Sequence, residues 1–500
     1  MMSRQSRSQP RLFYEGFSLE QRVRANHPLR KIAKAIDFDF VYEEVGHLYG
    51  VNGNPSVPPP VILKLMLLLV FYNVRSEREL IDTLPAQMDW LWFLGFDLDT
   101  PIPNHSVLSK ARKRWGVEVF RSFFERVVWQ CVEAGLVDAR KLFVDASIVE
   151  ADASMESLVD AGSIRHRLHQ SYPEFERRLE EQEQSERPSF KKVNRQRVST
   201  TDPDAAVTRD GKATLAYKVH RAVEGQHEII TDTQTTAGDA HESHVLDALL
   251  DGHEANTGES ADTVVADAQY GTNENLLTCH DRGVKTHMPH LGQAAQKRNA
   301  ARGVFGEECF SYDASRDVLL CPAGHELRLQ GRDRTNDGFH YAASRVACAA
   351  CSLRPQCTSS KQGRRVRRHR RQQELDQKRA EGRSAAGRRD IRTRQHLMER
   401  SFARAKRYGY DRARWRGLWR MQIQELLTCA VQNIQVLVKK ARPWPTAQVE
   451  RMGSEVRRFS ASVKWFLLWL SHVRSGPPRV PTTIRGVPGM ALSALGTPTP

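Results

Sequence analysis

Asp145, Asp267 and Glu399 are the residues whose settings point first to chemistry. Asp145 lies inside the apolar run 141–149, and Asp267 closes a second apolar run, 263–267. Glu399 stands in an arginine-rich, helix-like stretch, 396–406. A carboxylate leaving water with a strand must be paired or bind a metal. Three of them converging would repel by about 4 kcal/mol per pair at roughly 4 Å in a moderate dielectric, and divalent cations remove that cost. Two metal ions roughly 3.5–4 Å apart serve in-line phosphoryl transfer by activating the attacking oxygen and stabilising the leaving one. Carboxylates are the hard ligands that Mg²⁺ prefers. Lys406 lies two helical turns beyond Glu399 and shares its face, which suits it to a nearby phosphate; a solvated charge among Arg400, Arg404 and Arg407 is the plainer reading. Glu425 is an alternative third carboxylate, although its apolar surroundings read as packing.

The cysteines carry the second signal. Cys348 and Cys351 form a Cys-x-x-Cys pair, flanked by Cys321 and Cys357. Four thiols in one segment favour a structural, tetrahedral Zn²⁺ over unliganded cysteines. His325 is a possible replacement ligand. Cys131, Cys279, Cys309 and Cys429 read as isolated core residues.

The chain has 500 residues and a net charge of +16. That excess points to a polyanion, and nucleic acid fits better than a membrane surface. The longest apolar run, 61–71, contains Lys64 and is too short to span a bilayer. The polar start lacks a secretory signal. A cytoplasmic chain is the expectation, which argues against structural disulfides. Two basic tracts suit phosphate contact: 361–371, and 404–420 with Tyr408, Tyr410, Trp415 and Trp419 interleaved. Binding through them would weaken steeply with salt. Arg404 and Arg407 are the candidates beside Glu399.

A length of 500 residues implies roughly two to four domains. Residues 1–57 form an N-terminal segment. Residues 58–137 read as short helices: Pro59 or Pro60 suits a first helical turn, and Ser76 with Glu79 has capping-box spacing. A basic helix within 104–115 offers Asn104, Ser106, Lys110, Arg112, Lys113 and Arg114 to DNA in a helix-turn-helix-like region; an all-helical accessory domain with a solvated face fits the spacing equally. Residues 138–290 alternate strands with helices, including a hairpin around 224–226, and read as an α/β domain. A charged insertion interrupts it at 155–200. Residues 291–390 form a cysteine-rich, basic insertion. Helices return over 391–440, and 441–500 read as a partly disordered tail.

At these residues the chain resembles the DDE transposases of bacterial insertion sequences, in the subgroup with a cysteine-bearing insert. The resemblance rests on 61–84 with 104–115, on 144–147, 202–205 and 266–271, on the cysteine block, and on 399–402 followed by Lys406. These segments occur in the family's order across about residues 15 to 440. The resemblance implies an RNase H-like catalytic domain in which Asp145, Asp267 and Glu399 hold two Mg²⁺ (or Mn²⁺) ions, with Lys406 as the lysine of the glutamate helix. It further implies double-stranded DNA as partner, both terminal inverted repeats and target, cleaved and joined by a homodimer. The chain departs from the family at Ala146-Ser147, Asp152 and Gln269, and the tyrosine and arginine that related groups carry upstream of the glutamate have no clear counterpart, although Arg392 and Arg394 are near. A degenerate DNA-binding repressor or relic and a zinc-dependent transcription factor are the competing readings.

Overall fold

The computed structural model describes residue 2 and residues 18–50, 52–160, 194, 197–333 and 337–440. The expected tail at 441–500 and most of the expected charged insertion, 161–193, lie outside the described residues. After one helical turn at Leu19–Arg22 come α1 (Pro28–Ala35), α2 (Phe40–Val45), α3 (Pro59–Phe71), α4 (Glu77–Thr83), α5 (Met88–Leu94) and α6 (Ser106–Glu133). Pro59 and Pro60 open α3, where a missing N–H is harmless. That helix is apolar on all sides and buried on nearly all of them. Ser76 caps α4 by accepting from the Glu79 N–H at 3.1 Å. Gly116, at φ 68°, kinks α6 in a conformation that a Cβ would strain.

The central sheet begins with β1 (Lys141–Glu150). A small ribbon of β2 (Leu158–Asp160) and β3 (Arg197–Ser199) stands apart from it. The sheet continues with β4 (Ala206–Asp210), β5 (Lys212–Glu224), β6 (Ile230–Ala237), β7 (Thr263–Val265) and β8 (Lys285–His287). Its order is β4-β5-β1-β7-β8, with β6 also paired to β5. β5 runs antiparallel to β1, β4 and β6, whereas β7 is parallel to both β1 and β8. The parallel pairings require crossovers. α7 (Leu246–Thr257) leads from β6 to β7, and α8 (Asn273–Asp281) from β7 to β8. The expected hairpin at 224–226 is closed by the buried Glu224 carboxylate, which accepts from the N–H groups of Gln226, His227 and Ile229 at 2.6–3.0 Å.

α9 (Gln293–Ala301) precedes a separate antiparallel sheet: β9 (Ser311–Asp313), β10 (Val318–Leu320), β11 (Glu326–Asp333), β12 (Gly338–Ala343) and β13 (Arg365–His369). Its order is β13-β12-β11-β10-β9, around a small core of Phe310, Leu319, Leu327, Tyr341 and Val366. The chain then returns to the central sheet. α10 (Gln372–Arg383) lies along β8, with Lys378 Nζ donating to Val284 O at 2.7 Å and Glu381 accepting from Thr286 N at 2.7 Å. The helices expected from 391 therefore begin earlier, as α10 and α11 (Ala385–Lys406), followed by α12 (Leu418–Lys440).

The N-terminal helices do not have a core of their own. Phe120, Phe124 and Cys131 of α6 and Ile423, Leu427 and Ile434 of α12 are buried in one cluster with α3. A second cluster lies between β1, β7, α7 and α8.

Candidate catalytic site

Register brings the two aspartates together. Phe143 on β1 pairs with Val265 on β7 in parallel. Asp145 and Asp267 each lie two residues further on, and neighbouring strands are about 4.8 Å apart. Both are partly buried at the C-terminal side of β7. The Ala146 N–H donates to Asp145 at 2.9 Å, and the Gln269 N–H to Asp267 at 2.9 Å. Arg394 of α11 forms an ion pair with Asp145, the two side chains being 12% and 23% exposed.

Burial pushes the Asp145 carboxyl up to about 6; Arg394 and the Ala146 N–H oppose that shift, while the nearby charges of Asp267 and Glu242 add to it. Glu242, in the turn before α7, is likewise raised by burial, with Lys218 opposing and Asp267 adding. Its carboxylate is 3.5 Å from Lys218 Nζ, which also donates to Ala240 O at 3.0 Å. Beneath them Tyr270 is fully buried, its hydroxyl 3.1 Å from His220 Nδ1. Burial, then Glu242, Asp145 and Asp267, hold the tyrosine well above its usual range. Burial and Lys218 push His220 down to about 3, so this imidazole is neutral.

Asp145, Asp267 and Glu242 are thus the acidic groups that sense one another. Glu399 is exposed on α11 and accepts from Gln395 Nε2 at 3.3 Å. It lies five residues beyond Arg394, about 140° around the helix. Lys406 shares the exposed face of Glu399 and is 3.5 Å from Asp411. Among the described residues no group of three or more His, Cys, Asp or Glu is drawn together closely enough to hold a metal ion. The chemistry of the donors suits a hard cation, since Asp145 and Asp267 are carboxylates at equal offset beyond the paired Phe143 and Val265; as placed, Arg394 pairs with Asp145 and Lys218 with Glu242.

Glu425 is not a third ligand. It is fully buried and bonds Arg221 through both oxygens, at 2.7 and 3.0 Å, while accepting from Tyr410 and Thr233. Burial pushes this carboxyl up, but Arg221 outweighs it and holds it below the usual range. Arg221 also donates to Ser401 O at 3.2 Å, which pins α11 close to Glu399.

The four cysteines Cys321, Cys348, Cys351 and Cys357 line one small cavity with His325 and Arg364. Burial raises the Cys357 thiol, Arg364 opposes, and the other three sulfurs add to the rise. Thiolates are the soft donors that Zn²⁺ takes, but as placed these four do not close into a metal-holding group. Cys131, Cys279 and Cys429 are buried as expected, but Cys309 is exposed.

The DNA-contact candidates divide. Asn104, Lys110, Lys113 and Arg114 are exposed on or beside α6; Ser106 is partly so. Arg112 is not available: it is 3% exposed, paired with Glu77, and stacked 3.9 Å from the Trp415 ring. Arg407 is exposed, whereas Arg404 pairs with Glu228 at 2.6 Å. The interleaved aromatics are packing groups, since Tyr408 and Tyr410 are buried and Trp415 covers Arg112. Tract 361–371 contains strand β13, and much of its charge is engaged. Arg367 faces Asp333 at 3.6 Å, Arg368 lies 3.7 Å from the Tyr312 ring, and Arg371 pairs with Asp281.

Sequence reasoning did not single out Glu242 or Lys218, and marked Arg394 only as near the place where related groups carry an arginine. An acidic residue just before a helix reads as a partner for the helix dipole, and no spacing signal separates it from a site residue.

A mixed sheet with one carboxylate midway along β1 and another two residues past the end of β7 is an arrangement suited to metal-assisted phosphoryl transfer. Comparison with known families supplies the class. Residues 17–114 match a transposase domain (DUF772), and residues 320–438 match a transposase DDE domain. No curated protein and no solved structure matches the chain. Together the two matches support a DDE transposase of an insertion sequence, a family that implies a polynucleotidyl transferase or nuclease acting on DNA. Glu399, Lys406 and the four cysteines fall within the second match; Asp145 and Asp267 lie between the two.

Proposed function

We propose that the chain cleaves DNA at the ends of a transposable element and joins the freed 3′ hydroxyl to target DNA, using an RNase H-like domain. The observation that carries this reading is the equal offset of Asp145 and Asp267 beyond the Phe143–Val265 pair. In the proposal these carboxylates hold divalent ions, Mg²⁺ or Mn²⁺, with Glu399 as the third ligand. When bound, the ions supply Lewis-acid activation of water or hydroxyl and stabilisation of the leaving oxygen. The chain's own groups do the rest. Lys406 and Arg407 hold phosphates beside the scissile bond. Asn104, Ser106, Lys110, Lys113 and Arg114 present α6 to the duplex, and Arg404 joins them on exchanging Glu228 for phosphate. Tyr270 and neutral His220 keep the floor of the site dry and uncharged. Cys321, Cys348, Cys351 and Cys357 hold a structural Zn²⁺ that braces the β9–β13 module. The working form is a homodimer on paired ends in the bacterial cytoplasm. No helix among the described residues is long and apolar enough to cross a membrane.

The test is strand transfer from a duplex carrying the element's own terminus, with Mg²⁺ or Mn²⁺. The wild type yields joined product and Asp267→Ala yields none; equal product from both removes the assignment. The position of Glu399, bonded to Gln395 rather than to an aspartate, favours a second reading, a chain that binds the termini without cutting them. That reading predicts salt-sensitive binding of the termini with no joined product from either protein.

A further inference from the structure

Two cations of the chain stand among the carboxylates of the site: Lys218 beside Glu242, and Arg394 beside Asp145. The Arg394 guanidinium is mostly out of water, pairs with Asp145, and leaves its Nε without a hydrogen-bond partner. An arginine fork with a buried, unsatisfied donor is incompletely bound. A metal ion on Asp145 and a guanidinium on the same carboxylate repel each other, so the two occupants exclude one another. The helix that carries Arg394 is fixed on either side of it. Asp390 is bonded to Lys141 at 2.9 Å and to His287 at 2.7 Å, and Ser401 is held by Arg221. Exchange therefore requires only the arginine side chain to swing, and a phosphate offers the fork two oxygens in matching geometry.

We propose that Arg394 is a positioning residue that latches the site: without DNA it occupies the cation place at Asp145, and a DNA phosphate draws it off, so that metal loading and DNA binding are coupled. The inference rests on the proposed metal role of Asp145. It makes the DNA-free chain a poor metal binder and thereby guards against indiscriminate nicking. By linkage, the factor by which DNA tightens metal binding equals the factor by which the metal tightens DNA binding.

The experiment is Mn²⁺ binding to the full chain, followed by electron paramagnetic resonance, with and without a short random-sequence duplex. For the wild type, the duplex tightens Mn²⁺ by roughly 5- to 150-fold, the usual span for coupled sites. Arg394→Gln binds Mn²⁺ without DNA about as tightly as the wild type does with it, and shows no further gain. Arg394→Met, which keeps the apolar stem, gives the same result if the glutamine variant does not fold. Equal Mn²⁺ affinity of wild type and variants without DNA overturns the latch while leaving the metal site standing. Asp145→Asn loses the site under every condition; unchanged Mn²⁺ binding in that variant overturns the metal reading itself, and the latch with it.

Discussion

Asp145 and Asp232 are both carboxylates raised by burial, and they illustrate two different uses of that cost. Asp145 has Asp267 and Glu242 nearby and a cation beside it. Asp232 on β6 has Gln234 donating at 2.9 Å and Arg121 at 3.7 Å, with Gly252 of α7 pressed against its carboxyl. Burial pushes Asp232 up to about 7 from 3.8, with Gln234 and Arg121 opposing and Glu125 adding to the rise. Because the folded value is the higher one, its contribution to stability is complete below about 3.8 and lost as pH rises through about 7. Asp232→Asn should therefore gain in melting temperature relative to wild type between pH 5 and pH 8, as thermal unfolding across that range measures. A difference independent of pH would show that this carboxyl does not titrate there. Glu425 shows a third use. Glu425→Ala strands Arg221 in the core and should cost about 3–5 kcal/mol, measured by urea unfolding. Replacing Arg221 and Glu425 together with methionine should recover much of that loss, which a metal ligand would not allow.

Among the elements, α11 does the most positioning, and its ties are Asp390 to β1 and β8, Arg394 to Asp145, and Ser401 to Arg221. α10 holds the neighbouring β8 through Lys378 and Glu381, and its Gly382 lies where an added Cβ would come within 2.4 Å of Met288 O. Gly382→Ala would favour an isolated helix, yet here it should destabilise by about 1–3 kcal/mol through overpacking against backbone. Calorimetry checks the sign. α3, β1 and the β5–β6 hairpin were legible in the sequence because their apolar runs and turn residues report burial directly. α10 was not: buried Lys378 and partly buried Glu381 are charged residues held in mutual and backbone bonds, and polarity hid their packing. For the candidate site, Asp145 and Asp267 stood out in the sequence because one lies inside an apolar run and the other ends one. Glu242 did not, since its partners come from β5 and β7, distant in sequence. Arg112 misled for the opposite reason, because its charge sits in a basic row while Glu77 and Trp415 cover it.

At the scale of the whole molecule, the N-terminal helices and α12 share one core, so α6, the proposed DNA-contact helix, and the helices packed on the central sheet are mechanically continuous. The cysteine module has its own small core and is joined to the sheet through α10. With the proposed zinc site, a chelator or Cys348→Ser should unfold β9–β13 at lower temperature while leaving Mn²⁺ binding at the proposed Asp145 site within about twofold, small against the 5- to 150-fold span of coupled sites. Thermal unfolding and spin resonance read the two effects separately. The account's central claim is that Asp145 and Asp267 form one metal-dependent cutting site on DNA. Its most direct test is the nicking rate of element-end DNA in Mn²⁺ for wild type, Asp145→Ala and Asp267→Ala, each first shown to fold and to bind the DNA. The account predicts that both substitutions abolish nicking while DNA binding persists. Undiminished nicking by either variant would contradict it.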